Sequence, residues 1–244
     1  MKYGKEEFTE KCIAAFRLNG LECTKEQGEQ LYALTERMLR VNEQMNLTAI
    51  KDEDLIIPRH YVDSVTLAEY IPEGAKIIDV GCGAGFPTLP LAIFRPDLKI
   101  TALDGTAKRI NYVAETAREL GLTGVRAIAA RAEEFAHDSS ERESYDVVTA
   151  RAVAALPVLA ELCLPFCGVG GRMVAMKAAL ADEEISAAQN AIKLCGGSLW
   201  EAKSFELMSS VEAPATRKLV IIDKVKKTAP LYPRHYSKIS KKPL

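Results

Sequence analysis

The stretch that most narrows what this chain can become is Asp79-Val80-Gly81-Cys82-Gly83-Ala84-Gly85-Phe86-Pro87. Glycine at every second position frees a short connection from the steric limits a Cβ imposes. The stretch follows Lys76-Ile77-Ile78-Asp79-Val80, an apolar run suited to a strand, and ends on Pro87, a residue suited to opening a helix. A strand, a glycine turn and a helix in that order is the start of a parallel crossover unit. The sequence then repeats the same grammar. Strands are expected at 98–103, 125–130, 145–150 and 171–176, with helices at 87–95, 106–120, 156–166 and 181–195. Such alternation requires a parallel sheet with helices on both faces. Two more strands, near 198–207 and 217–224, have little helix between them, as in an antiparallel pair at a sheet edge.

The segment before residue 76 reads as helical. Phe8, Cys12 and Phe16 recur every four residues until Gly20. Thr24 with Gln27 fits a capping box, and Leu31, Leu34, Met38, Val41 and Met45 form one apolar stripe behind it. A further helix is expected from Arg59 to Tyr70, entered after Pro58. The expected division is a helical extension over 1–75, an α/β domain over 76–224 and a tail over 225–244.

Composition excludes several classes. With 48% hydrophobic and 27% charged residues, the chain is not disordered as a whole. No apolar run reaches the ~20 residues of a membrane span, and the charged N-terminus lacks the apolar core of a signal peptide. Six cysteines are scattered without a Cys-x-x-Cys pair, so reduced thiols in a cytoplasmic monomer, and no metal site, are expected. The formal charge of −1 conceals an asymmetry. Residues 1–75 carry nine Lys/Arg against fourteen Asp/Glu, whereas residues 216–244 carry nine against one. From Lys224 onward there are seven Lys/Arg and no acid, with Tyr232, His235 and Tyr236 interleaved. Cations and rings in that mixture suit an RNA backbone and unpaired bases. The tail is expected to be extended, lightly packed and separate from any small-molecule pocket.

The glycine loop is not a dinucleotide fingerprint. In Gly-x-Gly-x-x-Gly the third glycine would fall at position 86, which is Phe86. Phe86 and Pro87 crowd the helix start where a pyrophosphate needs open amides, and Pro87 has none to offer. Asp79 suits a cationic amino-acid group better than it suits phosphate. Asp104 ends the next strand, where a carboxylate can take two ribose hydroxyls. S-adenosyl-L-methionine fits these residues better than NAD.

The chain resembles the glucose-inhibited division protein B family, bacterial methyltransferases that modify a guanine N7 of 16S ribosomal RNA. The matching blocks are Met45–Ile50, Arg59-His60-Tyr61-Val62-Asp63-Ser64, Asp79–Pro87, Leu103-Asp104 with Lys108-Arg109, Arg131-Ala132-Glu133-Glu134 and Thr149-Ala150-Arg151-Ala152. Ala175-Met176-Lys177, Tyr232-Pro233-Arg234 and Lys242-Pro243-Leu244 also match, so the resemblance runs through nearly the whole chain. It implies a class I methyltransferase fold, Rossmann-like, with seven strands, the last antiparallel. It further implies a cofactor site built by Asp79, Gly81, Gly83, Gly85, Phe86, Asp104, Thr106, Ala132, Glu133 and Arg151. Arg59, His60, Arg151 and Lys177 are the candidate substrate contacts, and 16S ribosomal RNA or the small ribosomal subunit is the implied partner.

The residues also speak to chemistry. An Asp/Asn-Pro-Pro-aromatic loop for amine methylation is missing after the fourth strand, where Thr149-Ala150-Arg151-Ala152 stands. Cys163 and Cys167 lie one helical turn apart and read as core, not as nucleophiles for a pyrimidine C5. Guanine N7 has a lone pair and no proton, so alignment and electrostatics suffice for its methylation. The rival readings are a small-molecule methyltransferase, a non-catalytic RNA-binding assembly factor with a nucleoside pocket and, more remotely, a dehydrogenase.

Overall fold

A computed structural model describes residues 1–178 and 182–244. Two helices lead, α1 (Lys5–Leu18) and α2 (Lys25–Met45). The expected capping box opens α2: Thr24 Oγ1 accepts from the Gln27 amide at 3.2 Å, and the Gln27 side chain accepts from the Thr24 amide at 2.9 Å. Asn46, at φ 49°, ends the helix in the left-handed region.

The next helical stretch differs from expectation. It starts earlier, with α3 (Glu53–Ile56), where the Asp52 side chain caps the Asp54 amide. It widens into a π-helical turn over Ile57–Val62, then continues as α4 (Asp63–Val65) and a 3-10 turn over Thr66–Tyr70. Pro58 therefore lies inside a helical stretch that has already begun. Its missing amide and its ring disfavour a regular α-turn, and the wider turn accommodates both.

The α/β unit follows in the expected order: β1 (Lys76–Val80), α5 (Thr88–Phe94), β2 (Lys99–Asp104), α6 (Ala107–Glu119), β3 (Val125–Ala129), α7 (Ala132–Phe135), β4 (Tyr145–Arg151), α8 (Leu156–Cys163) and β5 (Cys167–Lys177). Then come α9 (Asp182–Leu194), β6 (Gly197–Leu207), β7 (Ala215–Lys224) and α10 (Tyr236–Lys241). The expected start of α9 at 181 lies outside the described residues. The seven strands run in the order β3-β2-β1-β4-β5-β7-β6. β1 to β5 pair in parallel, while β7 is antiparallel to both β5 and β6. The order reverses between β1 and β4, the switch point where open α/β sheets hold their ligands.

The N-terminal helices share a core with the sheet. Phe8, Phe16, Leu31 and Met38 are buried in one cluster with Phe86, Leu89, Ile93 and Val113. Phe16 stacks on Phe94 at 4.5 Å, and Arg37 reaches Glu115 and Glu119 at the end of α6.

The tail is not lightly packed. Ile239 of α10 is fully buried, and Tyr232 and Leu244 pack on the core beneath β4, α8 and β5. Arg234 grips Glu161 of α8 through both carboxylate oxygens, at 2.8 and 2.7 Å, and Glu161 has no solvent exposure. Arg142 donates to the carbonyls of Thr228, Ala229 and Tyr232. Lys224 is buried too, donating to the Leu164 carbonyl and Thr228 Oγ1 and pairing with Glu143 at 3.2 Å. Two of the seven basic residues expected to face RNA are thus used inside the fold. Among the described residues no helix is long and apolar enough to cross a membrane.

Candidate functional site

The glycine loop leaves β1 and bends back under the end of β2, where the amides of Gly81 and Cys82 both donate to the Leu103 carbonyl at 2.7 and 3.0 Å. Gly81 has φ 76°, and a Cβ there would lie 2.6 Å from Val153 Cγ2, so only glycine lets the β4 loop close over this turn. Between them opens a cavity of about 220 Å³ at the carboxyl ends of the strands. Gly81, Asp104, Thr106, Ala132 and Glu133 are all among its lining residues. Asp104 is held in place from below: its Oδ2 accepts from the Gly83 amide at 3.1 Å and its Oδ1 from the Thr106 amide at 2.8 Å. Each of these oxygens keeps a second lone pair for a ligand hydroxyl.

Asp79 lies beneath the loop, fully buried. Its Oδ2 accepts from Thr88 Oγ1 at 2.6 Å, whereas its Oδ1 is buried with no donor among the described residues. Burial raises its pKa to about 6, although Thr88 and the Arg151 charge pull the other way.

A second cavity, about 560 Å³, lies on the other side of the β4 loop. Arg59, His60, Arg151, Lys177, Arg217 and Lys218 line it, with Asp63 and Glu184 as acids. Residues 151–153 form the wall between the two: Arg151 and Ala152 line the larger cavity, and Val153 lines the smaller. Ala152 has φ 56°, which costs a non-glycine residue about 1–2 kcal/mol. The turn is held there by Lys177, whose Nζ donates to the Ala154 carbonyl at 2.9 Å and pairs with Glu184 at 2.8 Å.

Arg151, His60 and Phe86 form a layered group at this wall. His60 stacks on Phe86 at 4.4 Å, and the Arg151 guanidinium lies 5.2 Å from the Phe86 ring centre. Arg151 donates to Asp63 Oδ2 and to the Arg59 carbonyl, each at 3.1 Å, and Asp63 Oδ1 accepts from Arg217. His60 contacts Thr48 Oγ1 through Nε2, and burial, followed by the Arg151 charge, lowers its pKa to about 3. It is neutral across the physiological range.

The structure therefore divides the candidate residues. Gly81, Asp104, Thr106, Ala132 and Glu133 meet at the smaller cavity; Arg59, His60, Arg151 and Lys177 meet at the larger. Asp79, Gly83, Gly85 and Phe86 shape the loop between them without lining either cavity. Arg59 is tied to Glu212 through both carboxylate oxygens. Asp63 and Arg217 were not expected at the site; Asp63 stands inside the Arg59–Ser64 block, whereas Arg217 carries no local signal. Tyr236, expected to lie far from the smaller cavity, lines it, because α10 is anchored beside α8. Cys82 and Cys163 are buried and their thiol pKa values pushed up by that burial, so neither is poised as a nucleophile. Among the described residues no three His, Cys, Asp or Glu side chains gather to hold a metal ion.

Comparison with known proteins bears on family and fold. The family model for rRNA small subunit methyltransferase G matches residues 27–211. A protein named ribosomal RNA small subunit methyltransferase G from Exiguobacterium sibiricum is 44% identical over 234 residues, covering 95% of this chain and 97% of its own. The protein of that name from Brevibacillus brevis is 40% identical over 242 residues, covering 98% and 99%. In fold, the chain is similar to a SAM dependent methyltransferase from Aquifex aeolicus (TM-score 0.50, 15% identity, 77% of this chain and 97% of that one). It is also similar to M. jannaschii TYW2 in complex with AdoMet (TM-score 0.53, 15% identity, 68% and 76%). With two cavities meeting at the switch point of a seven-stranded sheet and a family match through most of its length, the chain belongs to the rRNA small subunit methyltransferase G family.

Proposed function

We propose that this chain methylates a guanine N7 of 16S ribosomal RNA, with S-adenosyl-L-methionine as the methyl donor. One observation carries the reading: a cavity at the strand ends that sets Asp104 and Glu133 beside Arg109 and Arg131, and a cleft richer in cations than in acids, adjoin at residues 151–153. The first offers carboxylates to ribose hydroxyls and a base edge, the second suits a polyanion, and their juncture is where a donor and an acceptor can be brought together.

The smaller cavity fits the donor. Asp104 is placed for ribose hydroxyls and Ala132 and Glu133 for an adenine edge, while Asp79, buried under the adjoining loop and outside the cavity lining, acts on the positive amino-acid end only as a nearby negative charge. When bound, S-adenosylmethionine supplies a methyl on a sulfonium, which N7 can accept with its own lone pair. The chain's task is then to orient and to exclude water. His60, neutral and stacked on Phe86, packs the wall without exchanging a proton. Arg151 and Lys177 keep the 151–154 turn in position. The cations of the larger cleft attract phosphate and can donate to the guanine O6 carbonyl. We take a cytoplasmic monomer as the acting unit.

The test is transfer of labelled methyl to undermethylated small-subunit RNA, free and within the subunit, followed by nucleoside analysis. Label is expected in 7-methylguanosine. Label in another nucleoside, or in none from either substrate, would refute the assignment.

A further inference from the structure

We propose that Tyr236, carried on α10, forms part of the wall for the nucleoside end of the donor cavity, so that the basic tail helps to hold the cofactor. This rests on reading the smaller cavity as the donor site. Tyr236 is one of the residues lining that cavity, together with Leu162, Ala132 and Val153. A flat ring and aliphatic side chains bounding one cavity offer apolar surface to a planar base, while Asp104 and Glu133 supply polar contacts.

The ring is held there by a specific set of contacts. The Arg131 guanidinium lies 5.0 Å from the Tyr236 ring centre, and Arg131 Nε pairs with Glu133 at 3.4 Å. Gly105 makes room for it, since a Cβ there would sit 3.1 Å from Arg131 Cδ. From the other side α10 is fixed by buried Ile239, by Arg234 on Glu161, and by the Pro233 carbonyl against His137 Nε2 at 2.9 Å. Tyr236 itself contributes little to that anchoring. It is 37% exposed, and its hydroxyl has no hydrogen-bond partner among the described residues. A ring positioned by rigid neighbours at a cavity, yet half outside the core, is better explained by what the cavity holds than by packing.

The experiment compares Tyr236→Ala, Tyr236→Leu and Tyr236→Phe in the full chain by calorimetry. The ligands are S-adenosylmethionine, S-adenosylhomocysteine and 5′-methylthioadenosine. Loss of one base-stacking ring should weaken all three by about tenfold in Tyr236→Ala. Tyr236→Leu should lose less, and Tyr236→Phe should stay within about twofold of the parent. Thermal unfolding without ligand should match the parent in every variant, which separates the effect from folding. Loss confined to the two amino-acid-bearing ligands would place the effect at the wrong end and overturn the proposal. Asp104→Asn is the reference: if it weakens binding while Tyr236→Ala does not, the proposal fails and the cavity assignment stands. If neither variant changes affinity, the cavity assignment itself has failed.

Discussion

A single carboxylate beneath the glycine loop links pH to folding and, on the proposed function, to ligand affinity as well. Asp79 has a pKa of about 6 in the folded chain, above the ordinary ~4 of an unfolded aspartate. Between those values the folded chain holds a proton that the unfolded chain has released, so this group's contribution to stability declines as pH rises from about 4 to 6. Its ionised form is the one that attracts a cationic ligand. S-adenosylmethionine affinity should therefore strengthen about tenfold between pH 5 and 7, and Asp79→Asn should flatten that profile. Calorimetry at matched ionic strength checks it; a pH-independent affinity in the parent would remove Asp79 from the site. His60 gives the opposite expectation. With a pKa of about 3 it cannot serve as a base near neutrality. The single-turnover methylation rate should stay flat from about pH 6.5 to 9, and a steep ionisation abolished by His60→Ala would overturn the unaided attack by N7.

At the scale of elements, the tail shows how a polar sequence can be structural. Glu161 sits on α8 with no exposure, and Arg234 supplies its charge partner and three of its hydrogen bonds, one of them from the backbone amide. Arg234→Ala should cost about 3 kcal/mol by leaving a buried charge unpaired, while Glu161→Leu with Arg234→Met should recover most of that. Chemical denaturation of the two variants measures the difference; equal stability would mean that water replaces the arginine. None of this was legible in the sequence. Lys- and Pro-rich composition describes a solvated segment, and the anchors, among them Ile239, Arg234 and a run of backbone carbonyls, follow no periodicity that would reveal them. The strands were legible because Lys76–Val80 and its successors are apolar runs punctuated by turns. The helix after Pro58 was placed too late because proline is ordinary at a helix start, and Asp52, six residues earlier, is the residue that caps the stretch.

Over the whole molecule, charge and cavities are arranged on different principles. The smaller cavity was legible where Gly81 and Asp104 follow consecutive strands and chain order sets their proximity, and not at Tyr236. The larger cleft was legible only in part. Asp63 and Arg217 meet at 3.2 Å across 154 residues, a contact that depends on how β7 inserts between β5 and β6. The basic tail retains five exposed lysines after Lys224 and Arg234 are set aside: Lys226, Lys227, Lys238, Lys241 and Lys242. If four of these meet phosphates, changing all five to Gln should reduce the salt slope of RNA binding by about three. S-adenosylmethionine affinity should be unaffected, because none of the five lines the cavity. An unchanged slope would shift the RNA surface to the cleft around Arg59, Lys177 and Arg217.

The distance along the chain between Tyr236 and the rest of the smaller cavity has a consequence for synthesis. Domains form from the N-terminus as the chain emerges, and every other lining residue of the smaller cavity precedes residue 163. As the chain emerges, β5, β6 and β7 must all follow before α10 can pack on α8, so on the proposed role of Tyr236 the cavity gains its last side only after the whole sheet has been made.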